Sequence, residues 1–109
     1  MTISTTTLKN AAFAIECDLW TDPATGANYL AKDGAILRRW EPETSSADSF
    51  ELASDLNMTL RFDSIVYRSV AVYGDGERCM EYWSSNDKSQ AMRIAVLRAA
   101  SYIGESLCQ

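Results

Sequence analysis

The run from Lys88 to Leu107 constrains the fold more than any other stretch. Met92, Ala95, Val96, Ala99 and Ile103 recur at i, i+3, i+4, i+7 and i+11, which places them on one stripe of a helix. Ile94 and Leu97 point away from that stripe, on the side that carries Gln90, Arg93 and Ser101. A helix apolar beyond one stripe packs against two layers. Two things can cover Ile94 and Leu97: the N-terminal helix or a loop of the same molecule, or a dimer or partner interface. With 109 residues the chain is long enough for one hydrophobic core and too short for two. The expectation is a single domain, residues 1–109, in which this helix is the largest element, capped by Asn86 or Asp87.

The remaining pattern alternates between helix and strand. Leu8, Ala11, Ala12 and Ile15 recur at helical spacing, so a first helix is predicted from Thr7 through Glu16, ending near Leu19 before Asp22-Pro23-Ala24-Thr25-Gly26 breaks the chain. Tyr29-Leu30-Ala31 and Ala35-Ile36-Leu37-Arg38 flank Lys32-Asp33-Gly34, and Asp-Gly favours a tight hairpin turn over residues 29–39. Ser45 or Ser46 can cap a helix over 46–56, with Asp48 placed as in a capping box. Met58, Leu60 and Phe62 alternate with polar residues, predicting a strand over 57–62. Ile65 to Tyr73 is apolar on both faces and reads as a central strand. Gly74-Asp75-Gly76 then turns it into a strand over 78–83, its faces split between Arg78, Met80, Tyr82 and Cys79, Glu81, Trp83. The fold class expected is α/β (α+β): a sandwich of one mainly antiparallel sheet of four or five strands, with two or three helices packed on it.

Charge and cysteine usage bound the function. The formal net charge is -5, and it is uneven: residues 1–60 hold nine acids against four bases, whereas residues 61–109 hold six of each. That balance argues against direct binding to nucleic-acid phosphates and is compatible with a basic protein partner. Cys17, Cys79 and Cys108 are odd in number and widely spaced, suggesting neither a disulfide framework nor a zinc site. Neither a signal-peptide pattern nor a run of membrane-spanning length is seen, so a cytoplasmic protein is expected. With no histidine, the chain lacks the commonest general base near neutral pH, and no catalytic residues, metal ligands or cofactor are assigned.

Trp40-Glu41-Pro42-Glu43 leads into Ala47-Asp48-Ser49-Phe50-Glu51-Leu52-Ala53-Ser54-Asp55-Leu56. A Trp-x-Pro turn needs a residue to pin it, which gives Trp40 an architectural role. Asp48, Glu51 and Asp55 recur at i, i+3 and i+7 on one helix face. The plain reading is a solvated face opposite Leu52, Ala53 and Leu56; the sharper one is an acidic stripe that engages a basic surface. Trp83 sits on a strand face that could be open to solvent. The candidate interaction surface is therefore Asp48, Glu51, Asp55, Trp83, Ile94 and Leu97.

Trp40 and Pro42, Ala47-Asp48 leading to Leu52-Ala53 and Leu56, and the closing Ala91 to Gly104 helix give the chain a likeness over roughly residues 29–107. On these residues it resembles the phage ABA-sandwich domain proteins, related to the NinX-like group. Glu41 stands where members often carry Asn, and Ser49 follows Asp48. The resemblance implies helices packed on a sheet and a phage or prophage origin, and it implies no activity. The function expected is that of a small accessory protein acting by non-enzymatic binding to a host protein, as an inhibitor of a host process such as antiphage immunity. The alternatives are a structural or assembly component of the virion and a small carboxylate-dependent hydrolase.

Overall fold

The structure is a computed structural model, and it describes residues 3–64, 68–74, 76–83 and 87–107. The elements in chain order are α1 (Thr5–Ala14), β1 (Asp18–Thr21), β2 (Asn28–Lys32), β3 (Ala35–Arg39), α2 (Ser46–Asp55), β4 (Thr59–Asp63), β5 (Ser69–Gly74), β6 (Glu77–Tyr82) and α3 (Lys88–Leu107).

The class is α+β as expected, but the strands do not form one sheet. They form two three-stranded antiparallel meanders, ordered β1-β2-β3 and β4-β5-β6. The difference begins at the first helix, which stops at Ala14 rather than near Leu19. Glu16 takes a left-handed φ of 61°, Glu16 N–H donates to Phe13 O, and Cys17 N–H donates to Ala12 O. This is a Schellman closure, normally marked by glycine, and here it is carried by glutamate. The released residues form β1, which gives the predicted hairpin its third strand. The Trp40 turn and α2 then separate β3 from β4.

Elsewhere local chemistry acts as the pattern suggests. Asp33 and Gly34 both have positive φ, 54° and 80°, the backbone that a two-residue type I′ turn requires. Ser45 caps α2 by accepting from Asp48 N–H at 3.2 Å. α2 closes as α1 does, with Asn57 at φ 53°, Asn57 N–H to Ser54 O and Met58 N–H to Ala53 O. β5 is the central strand of its sheet, although Ile65 to Tyr67 of the predicted strand lie outside the described residues, as does Asn86. Asp87 O accepts the N–H of Ala91 at the start of α3.

α3 packs against α1, α2, β5 and β6. Val70, Val72 and Cys79 cover it from the second sheet; Leu8, Ala11 and Ala12 cover it from α1; Leu52 and Ala53 join from α2. The α1–α3 contact is alanine-rich, so the helix axes come close. Leu97 is fully buried and Ile94 nearly so, which assigns their cover to the same molecule. Trp40 is also fully buried, with Pro42 beside it among the most enclosed side chains, as a residue pinning the turn should be. Arg93 ties α3 to that turn, donating through Nε to Glu43 O at 3.1 Å and through Nη1 to Ser46 Oγ at 3.0 Å. No helix among the described residues is long and apolar enough to cross a membrane.

Candidate interaction face

Register decides which side chains share a face, because directly paired residues in an antiparallel sheet point the same way. In the first meander, Leu19 pairs with Leu30 and Leu30 with Arg38; this row faces inward, where Leu30 is buried. The next row, Trp20 opposite Tyr29 opposite Arg39, therefore faces outward. Asp18 opposite Ala31 opposite Ile36 forms the adjacent outward row. A register shift in the β2–β3 ladder leaves Leu37 as the extra residue, and it too is exposed.

The outcome is an aromatic and aliphatic face open to solvent. The rings of Trp20 and Tyr29 pack with centroids 5.5 Å apart at a tilted 52°. Trp20 is 41% exposed, Ile36 54% and Leu37 55%, values that a monomer core would have reduced. Arg39 Nη2 is held at 3.1 Å by Glu41 Oε1, so one end of the face carries a neutral pair. The other end, beside the hairpin turn, is acidic, with Asp18, Asp33 and Glu16 all exposed. Burial pushes the Cys17 thiol up; Lys32 opposes this, while the Asp18, Asp55 and Glu16 carboxylates push it further. A thiol so placed stays protonated and is a poor nucleophile.

The outer face of the second sheet is different in kind. Thr59, Arg61 and Asp63 pair across Tyr73, Ala71 and Ser69 to Arg78, Met80 and Tyr82. Ser69 and Ala71 are buried at its centre, and the exposed rings of Tyr73 and Tyr82 are set among Arg61, Arg78 and Thr59, so its apolar area is broken up by polar and charged groups.

The six residues expected to form an interaction surface are not brought together. Leu97 is interior and cannot meet a partner in the folded chain, and Ile94 is buried except where it lines a cavity between α1, the Trp-x-Pro turn and α3. Trp83 shares the inner side with Cys79 and Glu81; it packs half-buried against the core, with the Phe62 ring 6.4 Å away and Lys88 Nζ 5.5 Å above its own ring. The acidic stripe is largely committed. Asp48 Oδ1 accepts from Arg38 Nη1 at 2.8 Å, Asp48 Oδ2 accepts the Glu41 N–H at 2.9 Å, and Glu51 Oε1 lies 3.3 Å from Arg38 Nη2. The hydrogen bond to Asp48 leads the causes that hold the Arg38 guanidinium more firmly protonated. Asp55 alone of the three stays exposed without an ion pair among the described residues.

Sequence reasoning missed Trp20, Tyr29 and Ile36 as a group. Trp20 and Tyr29 were visible as aromatics, but their pairing depends on β1, which the carried-over helix concealed. Among the described residues, no cluster of three or more His, Cys, Asp or Glu is placed to hold a metal ion. Comparison with family models, with curated proteins and with solved structures finds no match for the chain.

Proposed function

We propose that this chain is a non-enzymatic protein-binding module whose contact surface is the outer face of the first meander, and whose partner is basic where it meets the acidic rim. The single observation that carries the reading is the outward row Trp20–Tyr29–Arg39, in which Trp20 and Arg39 are exposed and Tyr29 is half-buried, beside exposed Ile36. Trp, Tyr and Arg dominate the energetic centres of protein interfaces, because each offers large contact area with a polar tip. Rigid strands hold them in one geometry, so little ordering entropy is spent on binding. Asp18, Asp33 and Glu16 at the hairpin end favour lysine or arginine opposite them.

The cellular setting rests on the sequence resemblance alone. It supports a phage or prophage accessory protein that occupies a surface of a host protein and so inhibits a host process. The test is affinity capture from bacterial host lysate with three baits: wild type, Trp20→Ala/Ile36→Asp, and Tyr82→Ala. Wild type and Tyr82→Ala should retain the same partner in stoichiometric amount, and the first-meander variant should lose it. Equal capture by all three baits would refute the assignment of the face.

A further inference from the structure

A cavity of about 410 Å³ lies on the opposite side of the first meander from the exposed face. Its walls come from four parts of the chain: Ile3, Thr5 and Leu8 around α1; Thr21, Gly26 and Asn28 from the β1–β2 end; Glu43 and Thr44 from the Trp-x-Pro turn; and Gln90 and Ile94 from α3. Four segments thus converge on one concave site whose lining mixes aliphatic and polar side chains, and sites where small molecules bind are concave, with polar groups set in an apolar lining.

Among the described residues of that lining, Glu43 is the one that ionises. It is half-buried, and its carboxylate has no ion-pair partner among the described residues. Arg93, which binds the Glu43 carbonyl oxygen, spends its guanidinium there and on Ser46 rather than on the carboxylate. Burial pushes the Glu43 carboxyl up, with Glu41 and then Asp48 adding to the effect against a favourable contact from its own backbone amide. A half-buried carboxylate without a counter-charge is an unbalanced group, which a cation would balance.

The rest of the lining narrows the cation. Thr5, Thr44 and Gln90 have side-chain oxygens that make no hydrogen bond to another described residue and can accept from N–H donors. Asn28 Oδ1 already accepts from Thr21 Oγ1 at 2.6 Å. Ile3, Leu8 and Ile94 form an aliphatic wall on the same cavity. One carboxylate, several neutral acceptors and an aliphatic wall match a head with three donors on a short hydrocarbon stem. They do not match a divalent metal, which would want further carboxylates.

We infer that this cavity binds a primary alkylammonium group, with the ammonium on Glu43, the neutral acceptors of Thr44 and Gln90 beside it, and the alkyl stem along Ile3, Leu8 and Ile94. The group can be a small free amine or a lysine side chain. This inference is independent of the binding face proposed above, and either can fail without the other.

The test is an NMR titration of the whole chain with butylammonium chloride, 1-butanol and sodium butyrate. Butylammonium should shift the amides of Thr44, Asn28 and Gln90 saturably and bind at least about tenfold more tightly than butanol, the difference a charge-assisted hydrogen bond supplies. Butyrate should not bind. Glu43→Gln should weaken butylammonium by about tenfold or more, whereas Glu105→Gln, which removes the same charge from an exposed site near the far end of α3, should leave it unchanged. Thr44→Val gives a milder loss and guards against a folding defect in the first variant. Nα-acetyl-lysine methylamide separates the sources: binding comparable to butylammonium identifies a lysine side chain, and its exclusion identifies a free amine. Equal affinity for butanol, an unaffected Glu43→Gln variant, or no saturable shift would each overturn the inference.

Discussion

Arg38 Nη1 donates to Asp48 Oδ1 at 2.8 Å, across the gap between β3 and α2. The same carboxylate accepts the Glu41 backbone N–H at 2.9 Å. Asp48 therefore joins the first meander, the Trp-x-Pro turn and the helix start, and its side chain is only 18% exposed. Replacing it strands a partly buried guanidinium and an amide. Asp48→Ala should lower unfolding free energy by about 1–3 kcal/mol, while Glu51→Gln, on a pair with a more exposed carboxylate, should stay within about 0.5 kcal/mol. Urea denaturation of both variants checks the contrast.

Gly104 of α3 lies against the backbone of α1 so closely that a Cβ there would overlap the carbonyl oxygen of Asn10. Neither partner is a side chain that could turn aside. Gly104→Ala, a substitution that favours an isolated helix, should here cost about 3 kcal/mol or more. A thermal melt in which Gly104→Ala matches wild type would mean that the helices do not approach in this way.

Leu97 is fully buried beneath the elements that cover α3. Leu97→Glu should abolish folding, seen as loss of the cooperative thermal transition, and should not yield a folded monomer from a dimer. A folded, monodisperse Leu97→Glu protein would return that residue to the surface.

These three sites show how far the sequence could be read. The capping serine, the Asp33-Gly34 turn and the stripe of α3 were legible because each follows from local backbone chemistry. The end of α1 was not, because glutamate at Glu16 adopts a conformation that sequence rules reserve for glycine or asparagine. That single misplacement hid β1, the third strand of the first sheet and the Trp20–Tyr29 pairing. The Asp48 and Glu51 stripe was located correctly on one face of α2, but its partner Arg38 lies on another element and no periodicity reveals it. The cavity at Glu43 draws on residues from Ile3 to Ile94 and is likewise a product of tertiary folding.

Burial raises the Glu43 carboxyl above its ordinary range. The folded state thus holds this proton more tightly than the unfolded one, so the contribution is favourable at low pH. It is lost as pH rises from the ordinary carboxylate value through the raised one. Glu43→Gln, which is neutral throughout, should be more stable than wild type near neutral pH and lose that advantage as pH falls through the raised value to the ordinary glutamate value. Denaturant midpoints at a series of pH values check the sign.

The outer face of the first meander is the proposed contact surface. The most direct measurement is the dissociation constant of the captured partner for purified wild type, Trp20→Ala and Tyr82→Ala, with sedimentation of each protein alone as a control for self-association. Trp20→Ala should weaken binding by at least about thirtyfold, the loss expected at an interface hot spot, with Tyr82→Ala unchanged. Wild-type affinity in Trp20→Ala, or a wild-type protein that only self-associates, would contradict it.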